Sequence, residues 1–73
     1  MIDVTYDRKA DAVYIYLAHG DVDRTEEAGP FTYDLDADGR VRGIEILSAS
    51  KVLAPGDWQN ARRPDAKSAD AAE

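Results

Sequence analysis

The chain has no cysteine and a single histidine, His19. Without thiols it forms neither disulfides nor thiolate metal sites, and one imidazole does not build a histidine-based metal centre. It also has no apolar run approaching the roughly 18 residues that span a membrane. The first ten residues, MIDVTYDRKA, lack the basic start and apolar centre of a secretory signal. We therefore expect a cytoplasmic protein with no membrane partner.

Basic residues are also scarce, because nine Lys and Arg stand against fifteen Asp and Glu, for a net charge of −6. This charge repels phosphate backbones, so we expect no direct nucleic-acid partner. A chain of 73 residues forms one small domain, which usually needs a disulfide, a metal or a second chain for added stability. Since the composition argues against the first two, we expect the protein to bind itself, most simply as a homodimer, or an unidentified protein.

The composition changes near Pro55 and Gly56. The preceding residues alternate between apolar and polar, whereas DWQNARRPDAKSADAAE is rich in charged residues and alanine, with Trp58 as its only large apolar side chain. We predict a domain of residues 1–55 and a flexible charged tail of residues 56–73. An indole at this position is suited to fold back over a small core.

The apolar residues of the domain recur with a period of two, which is typical of β-strands. In AVYIYLA, residues 12–18, apolar side chains alternate with Tyr14 and Tyr16. Because both faces of this strand are apolar or aromatic, we expect it inside a sheet rather than at an edge. The polar segment VDRTEEA, residues 22–28, is typical of a solvated edge strand.

Two further strands, FTYDLD and RVRGIEIL, are separated by a short turn at residues 37–39. Val41 and Ile44 have opposite parity, which would place them on opposite faces. A β-bulge at Arg42 and Gly43 restores the phase, with Gly39 at positive φ in the turn. This register places Asp36 opposite Arg40 and Asp34 opposite Arg42 as cross-strand ion pairs.

The following segment, SASKVLA, predicts one or two turns of helix with Ser48 or Ser50 as N-cap. We therefore predict an α+β, mostly β fold. It consists of an antiparallel meander of four to five strands with one short C-terminal helix.

The dodecamer DLDADGRVRGIE, residues 34–45, matches the calcium-loop pattern of an EF-hand. An EF-hand needs a helix on each side of the loop, but Gly29-Pro30 interrupts the chain just before a segment with strand periodicity. Asp38-Gly39 is favoured turn chemistry for a hairpin. We interpret the segment as an acidic hairpin and predict no EF-hand site, leaving open a weak surface cation site at Asp36 and Asp38.

We expect no catalytic, cofactor-binding or metal-binding residues. Ser48 and Ser50 lack a recognisable base, and His19 is typical of a solvated turn. Asp7 and Asp11 flank a turn, where aspartates usually hydrogen-bond the local backbone. The glycines show no phosphate-loop spacing.

Tyr14 and Tyr16 are the candidate interface residues. Tyrosine is enriched at protein interfaces because it combines apolar area with a hydroxyl. The alternative is that the short helix covers both tyrosines within one chain, through Val52 and Leu53.

Several segments together resemble one known family. They are YDRKADAVYIYL (6–17), TEE (25–27), YDLDADGRVRGIEIL (33–47) and AS (49–50). Over roughly residues 4–53 the chain is similar to the YuzE-like family of small bacterial proteins, a domain of unknown function. The resemblance implies a compact β-rich domain of bacterial origin and carries no catalytic or ligand residue across.

We predict a non-enzymatic homo-oligomeric or protein-binding module. Some proteins that resemble the family look like members of two-gene cassettes, which implies an antitoxin-like role as one form of such binding. The competing hypothesis is a small ligand-binding or hydrolytic enzyme with a site at a subunit interface. It requires groups such as Asp7, Asp11, His19 and Glu45 to converge.

Overall fold

The computed structural model describes residues 2–64. These residues form five strands, one short α-helix and one 3-10 helix. In chain order they are β1 (Asp3–Asp7), β2 (Ala12–Tyr16), β3 (Arg24–Ala28), β4 (Phe31–Leu35), β5 (Val41–Ile46), α1 (Ala49–Val52) and the 3-10 helix Asp57–Asn60.

All five strands form one antiparallel sheet with the order β1-β2-β5-β4-β3. A β1–β2 hairpin and a β3–β4–β5 meander are therefore joined where β2 pairs with β5. β2 is an interior strand, and β3, whose five residues are all exposed, is an edge strand. This confirms the predicted fold class, a mostly β domain with an antiparallel sheet and one short helix.

The acidic segment is the predicted hairpin. Its register pairs apolar residues across β4 and β5: Phe31 with Ile46, Tyr33 with Ile44, and Leu35 with Val41. Asp34 lies opposite Gly43, and the register shifts between Asp34 and Leu35, so Arg42 is the extra residue of a β-bulge. Gly39 has φ +80 in the turn. The predicted bulge and turn are confirmed.

The core lies on one face of the sheet. Val13, Ile46 and Ala49 are buried together, with partly buried apolar residues packed around them. Those neighbours include Leu53 and Trp58, so α1 and the 3-10 helix cover this face. Trp58 contacts Tyr6 edge-to-face at 4.9 Å between ring centroids, which confirms that the indole folds back over the core.

The first turn of α1 is hydrogen-bonded by a residue of the β1–β2 turn. Ser48 occupies the N-cap position, as predicted, but it has φ 53 and makes no side-chain capping bond. Asp11, which also has φ 53, supplies the capping hydrogen bonds: its carbonyl accepts from the Ala49 N–H at 2.8 Å, and its carboxylate accepts from the Ser50 N–H and hydroxyl. A carboxylate satisfies helix N–H groups as well as a local hydroxyl does, whatever its distance along the chain.

Beyond the 3-10 helix the chain returns to the sheet. Arg62 forms an isolated parallel bridge with Thr5, and its carbonyl accepts from the Tyr6 N–H at 2.9 Å, so it covers the outer edge of β1. The predicted division into a domain of residues 1–55 and a flexible tail of residues 56–73 stays a prediction. Residues 65–73 lie outside the described residues.

Neither of the two helices within residues 2–64 is long and apolar enough to cross a membrane.

Candidate functional site

The sheet has a second face, opposite the core, on which Tyr14 and Tyr16 lie. Successive side chains of a strand point to opposite faces, so the observed register assigns each strand residue to one side. We call the side opposite the core the tyrosine face. Two rows of paired residues cross it: Asp3, Tyr16, Gly43, Asp34 and Thr25; and Thr5, Tyr14, Glu45, Thr32 and Glu27.

No helix of the described residues packs on the tyrosine face. Leu53 packs against the core cluster on the other face, and Val52 is exposed. The alternative in which Val52 and Leu53 cover the tyrosines within one chain is therefore wrong. A four-residue helix connected to the end of β5 by two residues covers one side of the sheet, and here it covers the side of Val13 and Ile46.

Tyr14 reaches across β5 to β4. Its ring lies over the buried Gly43, where a Cβ would collide with the phenol, and its hydroxyl donates a hydrogen bond to Asp34 Oδ2. Burial, followed by this bond and the charge of Asp34, raises the pKa of Tyr14 above its usual value. Tyr14 is thus fixed in position by a neighbouring glycine and a carboxylate.

The predicted ion pair between Asp34 and Arg42 is not formed. Asp34 bonds to Tyr14 instead, while Arg42 donates to the His19 carbonyl and lies 4.0 Å from Asp36 Oδ2. The prediction placed a bulge at Arg42 and Gly43 but took Arg42 as the residue opposite Asp34. In the structure Gly43 takes that position, and Arg42 is the extra residue of the bulge.

Tyr16 is the exposed member of the pair. Its ring meets that of Tyr14 edge-to-face at 4.4 Å between centroids, and 41% of the residue is exposed. It stands between two shallow hollows. The inner hollow, about 310 Å³, is lined by residues that include Thr5, Ala12, Tyr14 and Glu45. The edge hollow, about 490 Å³, is lined by residues that include Asp3, His19 and Arg62. An exposed ring with a hollow on each side can be contacted by a partner's side chains from both sides.

The tyrosine face carries mostly negative charge. Its strand residues include five carboxylates, from Asp3, Asp7, Glu27, Asp34 and Glu45. None of the strand residues that the register assigns to this face is basic; Arg42, the extra residue of the bulge, lies 4.0 Å from Asp36 Oδ2. Asp3 pairs with Arg62, but Glu45 and Glu27 make no ion pair within residues 2–64. Glu45 is half-buried in the middle of the sheet, directly beside Tyr14.

The acidic turn is organised around Asp36. This buried carboxylate accepts the N–H groups of Asp38 and Arg40, both at 2.9 Å, and the Arg40 guanidinium at 3.3 Å. The bond from the Arg40 N–H is the largest reason why the pKa of Asp36 is held below its usual value. The predicted Asp36–Arg40 ion pair is confirmed. Residues 2–64 contain no group of three or more histidines or acidic residues placed to hold a metal ion.

The four groups of the enzyme hypothesis lie in three places within one chain. Asp11 bonds to Ser50 and to the Tyr6 hydroxyl, and Ser50 and Tyr6 in turn hold its pKa below the usual value. His19 lines the edge hollow, whereas Asp7 and Glu45 line the inner one. A site shared between subunits stays a prediction.

Sequence reasoning missed the link between Tyr14, Gly43 and Asp34. It depends on β2 lying next to β5, which brings together residues 20 positions apart in the chain. The sequence marked β2 as an interior strand, because both of its faces are apolar or aromatic, but it did not show that β5 is its neighbour.

Within residues 2–64 the fold and this face define a class: a small single-sheet domain with its helices on one side and an aromatic, acidic surface on the other, which no described helix covers. The chain belongs to the DUF2283 family of proteins of unknown function, whose family model matches residues 3–50. No curated protein and no solved structure matches the chain. The YuzE-like name and the bacterial origin stay predictions.

Proposed function

We propose that this chain is a non-enzymatic protein-binding module whose docking surface is the tyrosine face. The observation that carries the proposal is the placement of α1 and the 3-10 helix on the opposite side, which leaves Tyr14 and Tyr16 uncovered by any described helix. Tyrosines that keep aromatic surface exposed in a fixed orientation lose little conformational entropy on binding, so they serve well as interface anchors.

The internal order of the face supports a binding role. Tyr14 is held by Asp34 and rests on Gly43, and Tyr16 is braced against Tyr14. A surface that is ordered before binding gains affinity because less freedom is lost when the complex forms. Sheet geometry therefore presents Tyr16 as the exposed anchor and Tyr14 as its support.

The occupant is a second copy of the chain or a different protein. A homodimer would add buried surface to a small core that has no disulfide. A heterologous partner fits an antitoxin-like role, which we retain as one form of this function. We place the interaction in the cytoplasm as part of the same proposal.

Affinity capture from the protein's own cell extract, combined with light scattering of the purified chain, tests the proposal. Tyr16→Ala removes the exposed anchor and leaves the bond between Tyr14 and Asp34 in place. Val52→Ala is the matched control, because Val52 is similarly exposed, at 38% against 41%, but lies on the helix. We expect wild type and Val52→Ala to hold one partner in common, and Tyr16→Ala to lose it.

The partner is identified by mass. A particle of twice the 8.0 kDa chain means a homodimer, and a different captured chain means a heterologous complex. The proposal is wrong if Tyr16→Ala retains the same complex as wild type. It is equally wrong if the wild-type chain stays monomeric at high micromolar concentration and captures nothing.

A further inference from the structure

The charge on the tyrosine face indicates the chemistry of its partner. Glu45 lies in the central row between Tyr14 and Thr32, and Glu27 ends the same row. Neither carboxylate has a basic partner within residues 2–64. Burying an unpaired carboxylate under a neutral or acidic surface is unfavourable, because it loses hydration without a counter-charge. A partner that covers this face therefore needs to supply positive charge.

The tyrosines favour the same kind of ligand. An ammonium or guanidinium group is attracted to the face of an aromatic ring, and the attraction grows as water is excluded. Tyr16 and Glu45 both line the inner hollow, so a side chain that enters it meets an aromatic residue and a carboxylate-bearing residue together. Arginine suits this arrangement best, because its planar guanidinium both stacks on rings and pairs with carboxylates.

Other occupants fit less well, including a second copy of the chain that docks through the same acidic face. A nucleic acid would place phosphates against five carboxylates of the strands, which are Asp3, Asp7, Glu27, Asp34 and Glu45. A purely apolar partner would leave Glu45 buried without a counter-charge. A partner segment that bears arginine or lysine satisfies both the rings and the carboxylates.

We propose that the tyrosine face binds a basic segment of a partner protein, with an arginine or lysine side chain seated between Tyr16 and Glu45. This inference rests on the proposed function and specifies the partner's chemistry. Electrostatic complementarity of this kind sets partner choice and association rate. The protein's net charge of −6 adds a long-range attraction for the same class of partner.

The test uses a capped hexa-arginine peptide as the probe and the full-length protein labelled with nitrogen-15. Amide chemical shifts map where the peptide binds, and their titration gives Kd. We expect the largest shifts along β2 and β5, around Tyr14, Tyr16 and Glu45. Glu45→Gln, which keeps the size of the side chain, should weaken binding by about threefold to fivefold, as expected for loss of a partly exposed ion pair.

The control variant removes the same charge on the other side of the molecule. Asp57→Asn lies on the 3-10 helix, which covers the core face. If the peptide responds only to net charge, both variants weaken binding equally and the inference is overturned. Shifts spread over all acidic segments, with no concentration on β2 and β5, overturn it as well.

A separate variant measures how much the aromatic ring of Tyr16 contributes to binding of hexa-arginine. Tyr16→Leu keeps apolar area and removes the aromatic face, so we expect a twofold to fivefold loss of affinity for hexa-arginine. If Tyr16→Leu binds hexa-arginine as tightly as wild type does, the arginine side chain does not bind against the Tyr16 ring. If hexa-arginine does not bind the face while Tyr16→Ala still abolishes capture of the natural partner, the basic chemistry is wrong and the docking surface stands. If hexa-arginine binds as expected and capture is unaffected by Tyr16→Ala, the proposed function itself is wrong.

Discussion

Gly43 is the residue on which the order of the tyrosine face depends. It is buried in β5, and a Cβ at this position would collide with the hydroxyl and ring of Tyr14. The absence of a side chain lets the phenol cross the strand and reach Asp34. Glycine in a strand often marks such a close approach.

Gly43→Ala should lower the free energy of unfolding by about 1–3 kcal/mol, the usual effect of forcing extra volume into a packed site. Denaturant unfolding measures the change. Gly56→Ala is the control, because the nearest atom to its added Cβ is 3.8 Å away. In a Tyr14→Phe background the effect of Gly43→Ala should shrink, since the closest atom is then missing. If the losses of unfolding free energy from Gly43→Ala and Tyr14→Phe simply add in the double variant, the Tyr14 ring does not lie over Gly43.

Asp34 should raise the pKa of Tyr14 further, beyond the effect of burial. Burial and the bond to Asp34 raise the pKa of Tyr14 in the folded protein. The neutral phenol therefore contributes stability that is complete below the unfolded pKa of about 10 and is lost as the pH rises through the higher folded pKa. Asp34→Asn removes the negative charge, and we expect the Tyr14 pKa to fall toward its usual range. Carbon-13 NMR of labelled tyrosine side chains follows the titration. An unchanged Tyr14 titration would show that the bond to Asp34 is absent in solution.

At the scale of elements, the short helix α1 is fixed by the β1–β2 turn. Four residues are too few to form a stable helix alone, so α1 depends on its packing and on Asp11. The Tyr6 hydroxyl donates to the same carboxylate at 2.7 Å. Asp11 thus connects the hairpin to the helix that covers the core face.

Asp11→Asn should lower the melting temperature at neutral pH, and asparagine tolerates the left-handed backbone there. Because the pKa of Asp11 is held below its usual value, its contribution is complete above the unfolded pKa of about 3.9 and is lost as pH falls through the lower folded pKa. The difference in melting temperature between Asp11→Asn and wild type should therefore become smaller as the pH is lowered. Thermal melts by circular dichroism from pH 7 to pH 3 measure it. Asp21→Asn serves as the charge-matched control, and an equal loss in that variant would contradict the account.

The acidic hairpin gives a second prediction at this scale. Asp36 uses its carboxylate on backbone N–H groups, whereas Asp38 is exposed and pairs with Arg40. Asp36→Asn should therefore lower the melting temperature more than Asp38→Asn does. Millimolar Ca²⁺ should leave both the circular dichroism and the melting temperature unchanged. A rise of many degrees would show that the loop binds the ion and rearranges.

At the scale of the whole molecule, local sequence patterns predicted the individual strands, turns and bulge. They did not predict which distant strands are neighbours in the sheet. The bulge at Gly43 was predictable because the parity of Val41 and Ile44 conflicts within a few residues. The edge position of β3 followed from its polar sequence. The pairing of β2 with β5, and with it the bond from Tyr14 to Asp34, depends on how residues 17–23 cross the end of the sheet, which no local pattern specifies.

Asp11 lies in the β1–β2 turn, as its sequence context indicates, but its role at the helix is not visible in the sequence. Its bond to Ser50 joins positions 39 residues apart, so no spacing rule connects them. The side of the sheet on which α1 packs was also undetermined from sequence, and the structure places it opposite the tyrosines. The role of Tyr14 and Tyr16 in an interface stays a prediction at this scale.

Site-specific photo-cross-linking in the protein's own cells measures the use of that face most directly. A photoreactive phenylalanine derivative replaces Tyr16 in one variant and Val52 in another, since both positions are exposed and lie on opposite sides of the sheet. We predict one discrete adduct from position 16 and none from position 52. Adducts from position 52 alone, or the same adducts from both, would contradict an account in which the tyrosine face is the surface that meets a partner.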